Sequence, residues 1–151
     1  MEIVHATLLD DAQRQELACS LVMTFGHEYP GWSEEQAFEE ISSASPLPIT
    51  FAAIREQNVL GCISLLVDDE VENYAHVSPW IANLWVKPSE RGSGVGFALM
   101  HHAMQVAKGR GLTELHLVTN TAASWHQRFG WTPIETAMVH GHEMTVMRCD
   151  L

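Results

Sequence analysis

The stretch VKPSERGSGVG, residues Val86 to Gly96, decides how this chain is read. A strand-like run, Ile81 to Val86, stops at Lys87-Pro88, and a helix-forming run from Phe97 to Lys108 starts directly after the last glycine. Between them stand Arg91, Gly92, Ser93, Gly94, Val95 and Gly96. A helix N-terminus carries free backbone N–H groups and roughly half a positive charge, so it attracts anions. Glycines let an anion approach that backbone closely, and an arginine adds a forked cation for a further oxygen. Strand, glycine-rich turn and helix together predict a pyrophosphate cradle. It is no P-loop, because GxxxxGK[ST] is absent. It is no dinucleotide fingerprint either, because the spacing is GxGxG and comes late in the chain.

Working outward, Glu2–Leu8 alternates as a first strand, and Asp10-Asp11 supply an N-cap for an amphipathic helix to about Thr24. "GHEYPGW", residues 26–32, has turn composition. Ser33 with Glu34-Glu35-Gln36 opens a short second helix to about Ser42 as a capping box. Ile49–Arg55 and Val59–Val67 read as strands joined at Gln57-Asn58. Asp68–Ser78 is an acidic loop, Pro79–Val86 a strand and Val95–Arg110 a helix. Thr113–Thr119 is a strand, Ala122–Phe129 a short helix, and Trp131–Val139 with Glu143–Arg148 a closing pair around His140-Gly141-His142. The order is β-α-α-β-β-β-α-β-α-β-β, an α+β plan of about seven strands and about four helices with a mixed, mostly antiparallel sheet.

The length of 151 residues predicts one domain with a proper core. No apolar run is long enough for a transmembrane helix, and Met1–His5 does not begin a signal peptide. Cys19, Cys62 and Cys149 are scattered and odd in number, which predicts reduced thiols in a cytoplasmic protein. Residues 1–72 hold fourteen acids against Arg14 and Arg55, whereas residues 73–151 are close to neutral. Such an acidic surface disfavours nucleic acid and anionic membranes as partners and favours cations. Of the nine histidines, His101 and His102 are adjacent on a helix and face different directions, and His140 and His142 could share one face of a strand turn; no metal site is expected.

The motif Val86-x-Pro88-x-x-Arg91-Gly92-x-Gly94-Val95-Gly96 resembles the acetyl-CoA-binding signature of the GNAT superfamily of N-acetyltransferases. Pro79-Trp80-Ile81-Ala82 looks like the entry to that family's central strand. Ala122 to Trp131, AASWHQRFGW, resembles its second signature, and His140 to Met147 looks like its last hairpin. The resemblance covers residues 79–151 well, whereas residues 1–78 match in element order only.

The resemblance implies a division of labour, with residues 1–78 mainly on the acceptor side and 79–151 forming the acetyl-CoA-binding core. It implies a β-bulge that splays the central strand, with pantetheine lying in the gap along Leu84, Trp85 and Val86. The pyrophosphate would sit on Arg91, Gly92, Ser93, Gly94, Val95 and Gly96. Thr119 or Asn120, Trp125 and His126 would complete the coenzyme site. It implies direct attack by a neutral amine on acetyl-CoA as co-substrate. His126 replaces the family's usual tyrosine and is the candidate general acid. An unperturbed imidazole titrates near 6.5 and a tyrosine near 10. The other reading of His126 is packing on a short helix.

The base is left open by the sequence, with Glu28, Glu72 and His76 as loop candidates, while Asn83 holds a strand position where relatives often carry a carboxylate. Glu28, Tyr29, Trp32, Trp80 and Asn83 are the candidate acceptor residues. Carboxylates and aromatic faces suit a small cationic amine, a polyamine, an amino sugar or a basic peptide terminus. Trp32 and Trp80 fit the core equally well. A homodimer through the last hairpin, a non-catalytic acetyl-CoA sensor and a different acyl donor are the further readings.

Overall fold

The computed structural model describes residues 1–43 and 46–151. Its elements follow the predicted order: β1 Glu2–His5, α1 Asp11–Phe25, α2 Glu34–Ile41, β2 Ile49–Arg55, β3 Asn58–Leu66, β4 Trp80–Val86, α3 Val95–Gly109, β5 Glu114–Thr119, α4 Ala123–Gln127, β6 Thr132–Val139 and β7 His142–Asp150. They build one seven-stranded sheet in the order β1-β2-β3-β4-β5-β7-β6. Every neighbouring pair is antiparallel except β4 with β5. β6 is the edge strand on one side of the sheet, with Ile134 exposed.

Both early helices start where the capping residues place them. Asp10 accepts from the backbone N–H of Gln13 while the Gln13 side chain accepts from that of Asp10, and Ser33 and Gln36 repeat the exchange on α2. The first strand is shorter than expected. The His5 ring accepts from the Thr7 backbone N–H and turns Ala6–Leu8 into a 3-10 turn. The β2–β3 turn falls on Glu56-Gln57, with Glu56 at φ 58°, so Asn58 already pairs with Arg55.

Two layers of helix cover the sheet. One face packs Leu99, Met100, Ala103 and Ala107 of α3 onto Phe51, Ile63, Leu65 and Leu117, and the other packs Leu17, Leu21, Ala37 and Ile41 of α1 and α2 onto Ala52, Cys62 and Trp85. Two irregularities shape the middle of the sheet. In β3, Ala53 pairs with Gly61 and Ile54 with Val59, leaving Leu60 as an extra residue. In β4, Cys62 pairs with Trp85 and Ser64 with Ala82, so Asn83 and Leu84 together oppose Ile63. Asn83 takes φ 56°, a left-handed conformation that asparagine tolerates better than most residues. The bulge reverses the strand's alternation: Ile81 before it and Leu84 and Val86 after it pack on the same core.

Candidate active site

β4 and β5 share a single bridging pair, Trp80 with His116, and then diverge. The gap forms a groove of about 990 Å³. Its walls are Ile81 to Val86 on one side and Leu117 to Thr119 on the other, and it ends against Arg91, Gly92 and the start of α3. Gly94 is the N-cap of α3 at φ 91°, and Gly92 stands at φ 80°. A Cβ at either would meet no protein atom within 4 Å, and the positive φ of each favours glycine there. Gly96 differs: its Cβ would lie 3.3 Å from Trp125 Cζ2, where α4 crosses the first turn of α3. The first three N–H groups of α3, those of Val95, Gly96 and Phe97, have no helical acceptor, and these residues line the groove. Arg91 Nε donates to the Val86 carbonyl at 3.1 Å, tying the cradle to the strand end.

Trp125 and Phe129 pack at a tilt with ring centroids 4.5 Å apart, and Phe129 and Phe97 likewise at 4.8 Å, forming an aromatic wall beside the groove. His126 lines the groove at 7 % exposure, and its Nδ1 is buried without a hydrogen-bond partner. Burial pushes its pKa down to about 4. Burial thus favours the neutral ring. A neutral imidazole can donate a hydrogen bond but is far too weak an acid to protonate a thiolate.

A second cavity, about 700 Å³, opens beside the first. The two share Phe25, Ala82, Asn83, Val118, Thr119, Thr121 and Ala122 as lining residues. Its walls carry five carboxylates, Glu28, Glu40, Asp68, Asp69 and Glu70, with no lysine or arginine among the described lining residues. Tyr29 donates to Asp69 Oδ1 at 2.9 Å. Desolvation raises Asp69 to about 7 against the opposing pull of that hydrogen bond, and burial first, then Asp69, raises the Tyr29 phenol. Burial also raises the Glu40 carboxyl, opposed by a hydrogen bond from Asn83. Asn83 Nδ2 reaches Glu40 Oε1 at 2.7 Å and Ser64 Oγ at 3.1 Å. The β6–β7 turn closes one rim, where His140 meets Glu70 at 3.4 Å and His142 Nε2 lies 3.1 Å from the His27 carbonyl.

The structure distributes the sequence candidates as follows. Leu84, Trp85, Val86, Arg91, Gly92, Gly94, Val95, Gly96, Thr119, Trp125 and His126 line the groove. The Trp85 indole is in the α1-side core, so that residue offers its backbone. Ser93 is not among the lining residues, because its hydroxyl turns back to the Glu90 carbonyl at 2.6 Å. Asn120 faces the second cavity, and the Thr119 hydroxyl accepts from the Ala122 backbone N–H at the start of α4. Glu28, Tyr29, Trp32 and Asn83 line the acid-walled cavity.

Trp80 does not reach that cavity. It is 0 % exposed, donates its indole N–H to the Val77 carbonyl and packs on Val139 and Val146. Glu72 and His76 also lie outside the cavity lining. The Glu72 N–H is pinned to the Met138 carbonyl, and the exposed His76 ring stacks on Tyr74. Sequence reasoning missed Glu40, Asp68, Asp69 and Glu70 as site residues. Their signals were the acidic excess of residues 1–72 and their place on the second helix and in the loop before Pro79. Among the described residues no group of three or more His, Cys, Asp or Glu is arranged to hold a metal ion, and no helix is long and apolar enough to cross a membrane.

The splayed strand pair and the glycine cradle match a known family. The family model for GNAT acetyltransferases aligns with residues 12–131. The chain belongs to the GNAT acetyltransferase family. Solved GNAT-type structures agree in fold over the whole chain. An aminoglycoside 6'-N-acetyltransferase complexed with coenzyme A superposes at a TM-score of 0.78, with 16 % identity over 99 % of this chain and 97 % of that one. The PaiA N-acetyltransferase of Thermoplasma acidophilum, in complex with coenzyme A, gives 0.72 at 20 % identity with full coverage of both chains. A ribosomal-protein-alanine N-acetyltransferase from Brucella melitensis gives 0.70 at 19 %, again with full coverage. Among curated protein sequences none matches.

Proposed function

We propose that this GNAT protein transfers the acetyl group of acetyl-CoA to a primary amine of a small cationic molecule, by direct attack within a ternary complex. The observation that carries the reading is the junction of the two cavities. A groove ending on an anion-binding helix start opens, at Asn83 and Thr119, into a pocket walled by carboxylates. The pyrophosphate would rest on the first turn of α3 with Arg91 beside it, and the pantetheine would lie against the β4 backbone from Leu84 to Val86, which has no β5 partner there. The thioester then reaches the junction, and the acid-walled pocket draws the ammonium form of the acceptor to the same point.

In the reaction the amine nitrogen bonds to the thioester carbonyl carbon, the C–S bond breaks, and the CoA sulfur leaves as thiolate. Holding both partners in line supplies much of the rate. His126 stays neutral and at most donates an N–H toward the sulfur, and solvent or the departing amine proton neutralises the thiolate.

CoA-thiol release with acetyl-CoA and a panel of polyamines, aminoglycosides, amino acids and basic peptides tests the proposal. The expected result is turnover of polyamines or aminoglycosides, with a KM that rises with salt as the carboxylates are screened. Silence across the panel alongside tight acetyl-CoA binding by calorimetry points instead to a non-catalytic acetyl-CoA sensor. Absence of acetyl-CoA binding refutes the reading of the groove itself.

A further inference from the structure

An amine that arrives as an ammonium ion must lose a proton before its lone pair can attack, and the reaction above leaves that proton without a recipient. We propose that Glu40 of α2 is the general base and that Asn83, in the β4 bulge, is its positioning residue. The assignment rests on the transferase reading of the site. Asn83 lines both cavities, so it marks the place where amine and thioester must meet. Its left-handed backbone lets the side chain leave the strand's alternation and reach α2. The Ser64 hydroxyl, itself 2.7 Å from that of Thr50, sits 3.1 Å from the same amide nitrogen and steadies it. The amide then holds Glu40 Oε1 at 2.7 Å, and Oε2 has no hydrogen bond among the described residues, which leaves it free to accept from an ammonium N–H.

The other carboxylates of the pocket are placed differently. Asp69 is 8 % exposed and committed to the Tyr29 hydroxyl. Glu28 is buried and paired with His27 Nε2 at 3.2 Å. Asp68 and Glu70 are exposed on the rim, Glu70 facing His140. Like Glu40 itself, none of the four lines the groove, and Glu40 alone among the five is held by Asn83, which lines both cavities. The charged groups around Glu40 are thus these acids and His140, and burial with the Glu70 charge raises the Glu40 carboxyl toward the range where a base works best near neutral pH. Proton balance is simple: one ammonium proton passes to Glu40, the second amine proton leaves as the amide forms, and the thiolate takes up one.

The test is the pH–rate profile of Glu40→Gln, Asp69→Asn and Asn83→Ala with spermidine and with kanamycin as acceptors. Glu40→Gln should lower kcat/KM at least about a hundredfold near pH 7. That loss should shrink steadily with rising pH as free amine accumulates, with acetyl-CoA affinity unchanged by calorimetry. Asn83→Ala should move the acid limb of the profile to higher pH, because the lost hydrogen bond is the one that lowers the Glu40 pKa. That shift decides the matter if Glu40→Gln fails to fold. A Glu40→Gln loss that is constant across pH marks a structural role and overturns the proposal, as does an unmoved limb in Asn83→Ala. A pH-dependent loss in Asp69→Asn in place of Glu40→Gln gives the proton to Asp69 and overturns it too. Wild-type protein inactive on both acceptors overturns the transferase reading itself, a result told apart from the others because it needs no variant.

Discussion

Gly61 offers a sharp test of how the sheet's middle builds the groove. A Cβ there would lie 2.4 Å from the Trp85 carbonyl oxygen and 3.2 Å from Val86 Cα, both backbone atoms of β4. Ordinary contact begins at 3.4 Å, so Gly61→Ala must push the β4 end away by about 1 Å. Neither β3 nor β4 can move freely, because Lys87 N–H is bonded to the Leu60 carbonyl at 2.8 Å and Val86 holds Arg91. Overpacking of this kind costs about 1–3 kcal/mol. In a domain of this size that is a Tm loss of roughly 2–12 °C. The displaced atoms are the strand end that meets the cradle, so acetyl-CoA affinity and kcat should fall as well, by up to about a hundredfold for a 1 Å misplacement. Gly109→Ala is the matched control. It ends α3 with nothing within 4 Å of its Cβ, and it should leave affinity alone and raise stability by up to about 1 kcal/mol. Calorimetric Tm and acetyl-CoA titration of both variants settle the question. A Gly61→Ala protein with wild-type Tm and affinity would refute the claim that this contact sets the position of β4.

Two further outcomes follow from buried ionisable groups. Asp69 has a folded pKa of about 7, above its unfolded 3.8, so the folded state binds more protons between those values and stability falls as pH rises through that window. Asp69→Asn removes the effect. The Tm advantage of the variant over wild type should therefore grow from pH 4 to pH 7, and a pH-independent difference would show that Asp69 is not desolvated. His126 has the opposite sign. Its folded pKa of about 4 lies below the unfolded 6.5, so stability is lost as pH falls through that range. His126→Phe should abolish that acid-side loss, leave the pH–rate profile unchanged in shape above about pH 5, and cost less than the ~100-fold that removal of a general acid brings.

Much of the fold was legible because its signals are local. Asp10 with Gln13 and Ser33 with Gln36 mark helix starts through short hydrogen bonds, and Lys87-Pro88 ends β4. The glycine run reads as a cradle whichever reason is given for each glycine. The structure adds a reason for each, since Gly92 and Gly94 take a positive φ and Gly96 lies in close contact with Trp125. The acceptor residues were far less legible. Trp80 and Trp32 were both candidate acceptor residues that fitted the core equally well, yet one is core and the other lines a cavity. Glu39 and Glu40 are adjacent acids of α2, and the helix turns only Glu40 toward Asn83.

Family and order of elements could be read from the residues alone, because capping, glycine conformation and strand–helix boundaries depend on neighbours a few residues away. Only the tertiary structure decided which acids share a pocket and what state His126 holds. Glu40 and Asn83 lie forty-three residues apart, and the low pKa of His126 comes from the burial that packing imposes. Proximity across the chain and desolvation are properties of the packed molecule, and no local pattern encodes them.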